Sequence, residues 1–428
     1  MGEVLPMKYL IAGGSAAGIS ALLSIRRRDP AGEITLVSAE PHRFYSRVLT
    51  SYYIAGKVPF ERMFLVGDDF YEANGVRVMA PLRVEELFPD RHECLLSDGQ
   101  LVQYDRFLAA TGASARELGV VGGELPGVFR LRTIDDAVQI REWVHRKKHA
   151  TVVGGGMVGL KAAEALHSLG MAVDVVVASN RVMSQVLDVE SAAVVQTHLE
   201  DMGIRIHLRN DVTRVIGSGR VEAVELRSGE VLGADIVVVG RGVDPNAGFL
   251  KKAGAKGKRG VWVDDFMQTS LVDVYAAGDV CEAYDPVRGE SAVNPLWNNA
   301  VDQGRIAGAN MAGARIRSPG SISMNSFMFG NLSVMSLGRP EAQDGARVFA
   351  RRDERGYRRI VLKDGHIVGA VAVGGNKGFG VLFPFVSKRV RFERPAVRLR
   401  ATDSVVEGFL SGNIGHACLL RALVGRTR

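Results

Sequence analysis

The chain has 428 residues, of which 46% are apolar and 24% charged, proportions of a globular protein too long for a single ordinary core. Its net charge is +7, and the stretch 387–428 carries nine Lys/Arg against three Asp/Glu while the remainder is nearly neutral. No apolar run reaches membrane-spanning length, the start has no signal-peptide pattern, and the aromatic residues do not interleave with the basic ones. Membrane insertion, secretion and a base-stacking nucleic-acid platform are therefore set aside, and a cytoplasmic location is expected.

The chain opens on KYLIAGGSAAGISALL from Lys8. Tyr9 to Ala12 reads as an apolar strand, followed by a turn at Gly13, Gly14 and Ser15, and then a helix through Ala16, Ala17 and Gly18. Gly13 makes the sharp turn, Gly14 and Ser15 let a phosphate approach the backbone, and Gly18 packs helix on strand. Ser15 stands where the motif has its second glycine, but a small residue keeps that approach open. A second strand, Glu33 to Val37, leads to Glu40, at the distance that suits a carboxylate accepting from a ribose; a surface glutamate in a loop is the plain alternative. Arg106 to Ala110 is another strand, ending in Thr111 and Gly112.

ATVVGGGMVGLKAAEAL, from Ala150, repeats the first pattern with a full GxGxxG at Gly154, Gly156 and Gly159, with Met157 and Val158 between them. The strand Ala172 to Val177 follows. Val177 holds the place of an acid that would select NAD, and Arg181 follows as a candidate for a 2′-phosphate, so NADH is expected to be preferred modestly and NADP(H) is left open. Val237 to Gly240 ends a strand in GRGVDPN, and Val274 to Gly278 leads to Asp279 in VYAAGDV. In NPLWNNAVDQGRIAGANMAG, from Asn294, a turn precedes a helix from about Asn299. From about 316 the texture changes, and YRRIVLKDGHIVGAVAVGG alternates about an Asp-Gly turn as a β-hairpin does. Two glycine fingerprints in one chain suit two nucleotides whose reactive rings exchange a hydride. Cys94, Cys281 and Cys418 form no CxxC or CxxxxC, so neither a redox disulfide nor a cysteine-held cluster is expected, and no metal site is assigned.

The ordered GGSAAG, ATG, GGGMVG, GxxPN and AAGD segments resemble the pyridine nucleotide–disulfide oxidoreductase superfamily over about residues 7 to 385. The resemblance implies an α/β fold of two doubly wound, Rossmann-like domains plus a small α+β C-terminal domain. It places FAD on 1–115 and 234–315, NAD(P) on 116–233, and an interface domain with a basic tail on 316–428. It implies that Asp279 meets the ribityl chain and phosphate, that Val84, Ala110, Thr111, Gly112, Gly240 and Gly278 border the cofactors, and that Trp297, Asn298 and Asn299 face the flavin ring. Core packing is the other role open to Trp297.

Relatives with a redox cysteine carry it in the stretch matching RFYSRVLTSYYIAG, where this chain has Arg47. A guanidinium cannot cycle between thiol and disulfide, so Arg47 is expected to contact FAD phosphate or the reduced ring. Lys161 replaces a frequent family glutamate; it either steadies electron density at the flavin or pairs with Glu164 one turn on. The YSR…YYIAG pattern is most similar to NADH:rubredoxin oxidoreductases. It also resembles the flavoprotein subunits of phenylglyoxylate dehydrogenase and tungsten aldehyde oxidoreductase. That implies an FAD-dependent NAD(P)H oxidoreductase exchanging electrons with an iron–sulfur or rubredoxin-type protein, as a homodimer or in a hetero-complex. A flavin NADH oxidase or small-molecule reductase, and an FAD/NAD redox sensor, are the alternatives. The basic tail suits an acidic partner; a solvated tail or self-association surface is equally open.

Overall fold

The computed structural model describes residues 5–354 and 356–392. Cys418 and most of the basic stretch lie outside the described residues. The chain divides into two compact units: one holds residues up to 47, 59–114 and 243–322, and the other holds 48–58, 115–242 and 323 onward.

The first unit is built on a parallel sheet in the order Val274–Ala276, Arg106–Ala109, Lys8–Ala12, Glu33–Val37 and Val76–Met79. Parallel strands covered on both faces need unbroken apolar runs, and Leu10, Ile11, Phe107 and Leu108 are accordingly buried. The helix Ala16–Arg28 buries Ala17, Ala21, Leu22 and Ile25 and ends in three arginines that complement its dipole. A second helix, Trp297–Met311, lies very close to it. A Cβ at Gly304 would sit 2.1 Å from the Ala17 carbonyl oxygen, and one at Gly308 would sit 2.4 Å from that of Ala21. These two glycines, one helical turn apart, let the backbones touch and offset their poor helix propensity. This helix begins at Trp297 rather than Asn299, because Leu296 is still extended at φ −128°.

The second unit repeats the plan. Its parallel sheet runs Arg205–Leu208, Ala172–Val177, His149–Val153, Ile236–Val239 and Val128–Arg130. The helices Met157–Ser168 and Val189–Asp201 belong to it. Beyond 323 the unit continues as an antiparallel five-stranded sheet, Met324–Phe329, Leu332–Gly338, His366–Gly374, Gly356–Lys363 and Arg347–Asp353, followed by the short helix Leu382–Ser387. The hairpin expected about Asp364-Gly365 is present, with both turn residues at positive φ (50° and 77°), as a type I′ turn requires. The fold is thus α/β with a small antiparallel domain, as the motifs implied. Among the described residues no helix is long and apolar enough to cross a membrane.

Two dinucleotide sites

The two glycine turns share one geometry. Gly13 has φ +119°, and a Cβ there would stand 2.1 Å from the Ala110 carbonyl oxygen; Gly154 has φ +126°, with its Cβ 2.3 Å from that of Gly240. Gly18 and Gly159 would likewise drive a Cβ to 1.8 and 2.0 Å from the carbonyl oxygens of Gly13 and Gly154. In each unit the turn passes between two parallel strands and feeds a helix whose cap position, Ser15 or Gly156, makes no side-chain cap hydrogen bond. Neither first turn contains an acidic residue. Open amide groups on the positive end of a helix, with no carboxylate in its first turn to repel an anion, are what a pyrophosphate needs. A Cβ at Gly156 would meet nothing within 4 Å, which leaves room beside the second helix start. The residues present therefore fit a dinucleotide at each turn, one at Gly13 to Gly18 and one at Gly154 to Gly159.

Around the first turn the structure gathers several of the expected residues. Arg47 is ion-paired with Glu40, reaches Ser15 Oγ from Nε at 3.4 Å, and lies over the Tyr45 ring at 5.2 Å. Burial works against its charge, but Tyr45, Glu40 and Asp279 outweigh it and hold the guanidinium above the usual arginine pKa. The Tyr45 hydroxyl donates to the other Glu40 oxygen at 2.5 Å. Glu40, read from sequence as a ribose acceptor, thus already accepts from two side chains. Thr111 and Gly112 are clasped by Asn246: Thr111 Oγ1 donates to its carbonyl oxygen at 2.9 Å, and its own N–H donates to Gly112 at 2.9 Å. Gly278, at φ +83°, donates to Gln303 Oε1 at 2.8 Å. Trp297 stacks on Phe44 with centroids 5.7 Å apart, Asn298 is exposed, and Asn299 is buried with its amide on the Ile322 carbonyl at 3.2 Å. Val84 opens the strand Val84–Phe88 and is half-buried.

In the second unit Lys161 does pair with Glu164 across one helical turn. Its ammonium also donates to the Met328 carbonyl at 3.0 Å and stands over the Tyr52 ring at 4.7 Å, while Glu164 accepts from the Gly330 N–H at 2.8 Å. The pair therefore ties the helix to the turn between the first two strands of the antiparallel sheet. Val177 is buried, and a Cβ on Gly155 would lie 2.7 Å from it, so the strand end offers no oxygen to a ribose.

Of the described thiols, Cys94 and Cys281 are buried, and loss of solvation pushes both up to about 12. A thiol there is protonated at neutral pH and poor as a nucleophile.

Sequence reasoning did not single out Tyr45, Asn246, Gln303, Gly304 or Gly308. The Gly304/Gly308 spacing was a readable sign of close helix contact. The Asn246 clasp had none beyond its place in the GxxPN turn.

The fold and the paired turns define a flavin- and nicotinamide-dependent oxidoreductase. Residues 7–304 match the model of the pyridine nucleotide-disulphide oxidoreductase family, and 324–384 match that of the rubredoxin NAD+ reductase C-terminal domain. The chain belongs to the pyridine nucleotide-disulphide oxidoreductase family, and FAD and NAD(H) are its cofactors. It is 33% identical to the epsilon subunit of the NADH-dependent phenylglyoxylate dehydrogenase of Aromatoleum evansii, over 89% of this chain and 92% of that protein. It is 30% identical to an NADH oxidase of Methanocaldococcus jannaschii, over 87% and 88%. A ferredoxin reductase from Rhodopseudomonas palustris superposes with a TM-score of 0.83 at 28% identity, over 90% of this chain and 95% of that one.

Proposed function

We propose that this chain takes electrons from NADH and delivers them, through FAD, to an acidic iron–sulfur or rubredoxin-type protein in the cytoplasm. The observation that carries this reading is Arg47, a clasped guanidinium beside the first glycine turn at the place where the family's redox-cysteine members carry their thiol. With the described cysteines buried and protonated, electrons have no thiol relay among the described residues and leave the protein directly for an outside acceptor. FAD supplies the conversion of a two-electron hydride into single electrons.

The chain's own residues supply binding and charge. The amides after Gly13 and Gly154 would hold the two pyrophosphates. Arg47, held charged beside Tyr45, Glu40 and Asp279, would contact a bound FAD and offset negative charge there. Glu164 is a positioning residue for Lys161, which would set a cation on the side of a bound nicotinamide. In functional terms, 1–115 with 234–315 carries FAD, 116–233 carries NAD(H), and the segment from 316 is the interface domain. The matches to an epsilon subunit, a rubredoxin reductase C-terminal domain and a ferredoxin reductase support the partner class. The similarity to an NADH oxidase favours a second reading, with oxygen as acceptor.

Salt separates the two. Basic residues cluster after Ser387, and attraction to an acidic partner fades as the Debye length falls from about 10 Å at 0.1 M to about 3 Å at 1 M. Reduction of an acidic ferredoxin is expected to slow several-fold over that range, while NADH-to-dye turnover barely changes. Truncation after Phe392 is expected to reproduce the loss at low salt. Oxygen consumption that outruns ferredoxin reduction at every ionic strength would favour the oxidase.

A further inference from the structure

We propose that Glu341 makes this protein discriminate against NADPH by occupying Arg181, the cation beside the second glycine turn; the proposal rests on the nicotinamide reading above. In dinucleotide-binding folds the adenosine ribose lies at the end of the second strand, where an acid about 20 residues beyond the glycines holds its 2′-hydroxyl or an arginine nearby accommodates a 2′-phosphate. Here Val177 fills the acid's place and is buried against Gly155. The segment that follows folds back onto the turn, with the Met183 N–H donating to the Gly155 carbonyl at 2.7 Å. Arg181 is therefore brought to the side of the turn that a 2′-phosphate would use.

That arginine is already engaged. Nε donates to the Leu187 carbonyl at 3.3 Å, and Nη2 donates to the Ser184 carbonyl at 3.2 Å and forms an ion pair with Glu341. Nη1 reaches Asn180 Oδ1 at 3.3 Å. The loop carrying Glu341 is held on both sides: Arg359 Nε donates to the Pro340 carbonyl at 3.0 Å, and Lys363 Nζ to Gln343 Oε1 at 3.3 Å. A half-exposed carboxylate 160 residues away in sequence thus pairs with Arg181. A 2′-phosphate must displace Glu341 from a charge-assisted pair and then remain beside its negative charge; the neutral 2′-hydroxyl of NADH meets neither obstacle. Specificity then comes from repelling the wrong cofactor, which accounts for an NADH preference in a site without the ribose-binding acid.

Calorimetric titration of the FAD-loaded protein with 5′-AMP and with 2′,5′-ADP tests this without turnover. In E341Q, affinity for 2′,5′-ADP is expected to rise about tenfold, the scale of one charge-assisted bond. Affinity for 5′-AMP is expected to move by less than about twofold. The gain is expected to vanish in R181M/E341Q, and kcat/KM for NADPH is expected to rise with the affinity in E341Q alone. Equal affinity of wild type and E341Q for 2′,5′-ADP, with 5′-AMP binding intact, overturns the proposal alone, as does a gain that survives loss of Arg181. Failure of 5′-AMP to bind any form, wild type included, overturns the nicotinamide reading itself.

Discussion

Gly154→Ala should give a yellow protein that NADH reduces about a hundredfold more slowly. Gly154 has φ +126°, and its Cβ would stand 2.3 Å from the Gly240 carbonyl oxygen, a backbone atom that cannot rotate away. The left-handed strain and the overlap each cost about 1–3 kcal/mol, which a domain stable by about 5–15 kcal/mol survives by shifting the turn. A shift of about 1 Å in a cradle that positions the nicotinamide costs about a hundredfold in rate. The FAD fingerprint lies in the other compact unit, so FAD content is expected to stay within about a quarter of wild type, and dithionite should still bleach the flavin. Stopped-flow absorbance at the flavin band measures all three quantities, and NADH reduction at an undiminished rate would remove the second fingerprint from the mechanism.

Gly13→Ala should instead remove the colour. Its φ is +119°, and the Cβ would lie 2.1 Å from the Ala110 carbonyl oxygen, at the carboxyl end of the strand Arg106–Ala109. The same strain acts here on the turn that feeds the helix start and the Arg47 cluster. Purified G13A is expected to lose most of its FAD, which for a site filled in the wild type takes a binding loss well above the roughly 1.4 kcal/mol that changes Kd tenfold. Added NADH and dye should give turnover in proportion to the flavin retained. Full FAD occupancy in G13A, measured by absorbance after denaturation, would place the flavin elsewhere.

The two effects differ in kind because the chain uses one backbone solution twice, and this is also why so much of the fold was legible. A glycine at positive φ beneath a carbonyl, and a second glycine where helix meets strand, are steric demands that sequence states directly. The Asp364-Gly365 hairpin was legible for the same reason. What was not legible depends on chain segments far apart. Lys161 and Glu164 were read as a helix pair, but their anchorage on Met328 and Gly330 involves a turn more than 160 residues on. Glu40 was read as a ribose acceptor from its distance to the glycines; its engagement by Tyr45 and Arg47 depends on how the following loop turns back. Arg181 was visible as a lone cation, while its paired carboxylate comes from a loop of the C-terminal sheet.

Hydride electrons are expected to reach and leave the flavin with no thiol in the path. The most direct measurement is an anaerobic NADH titration of a protein lacking all three cysteines, followed by mixing with an iron–sulfur acceptor. Cys94→Ala suits the apolar core around that residue. Cys281→Ser keeps a donor toward Gly278 and Gln303, where the native Sγ lies at 3.3 and 3.4 Å, and Cys418→Ser completes the set. One NADH is expected to be consumed per FAD and two one-electron acceptors reduced per NADH, at rates within a few-fold of wild type. A protein that keeps its fold and its FAD but loses NADH reduction or delivery to the acceptor would contradict it.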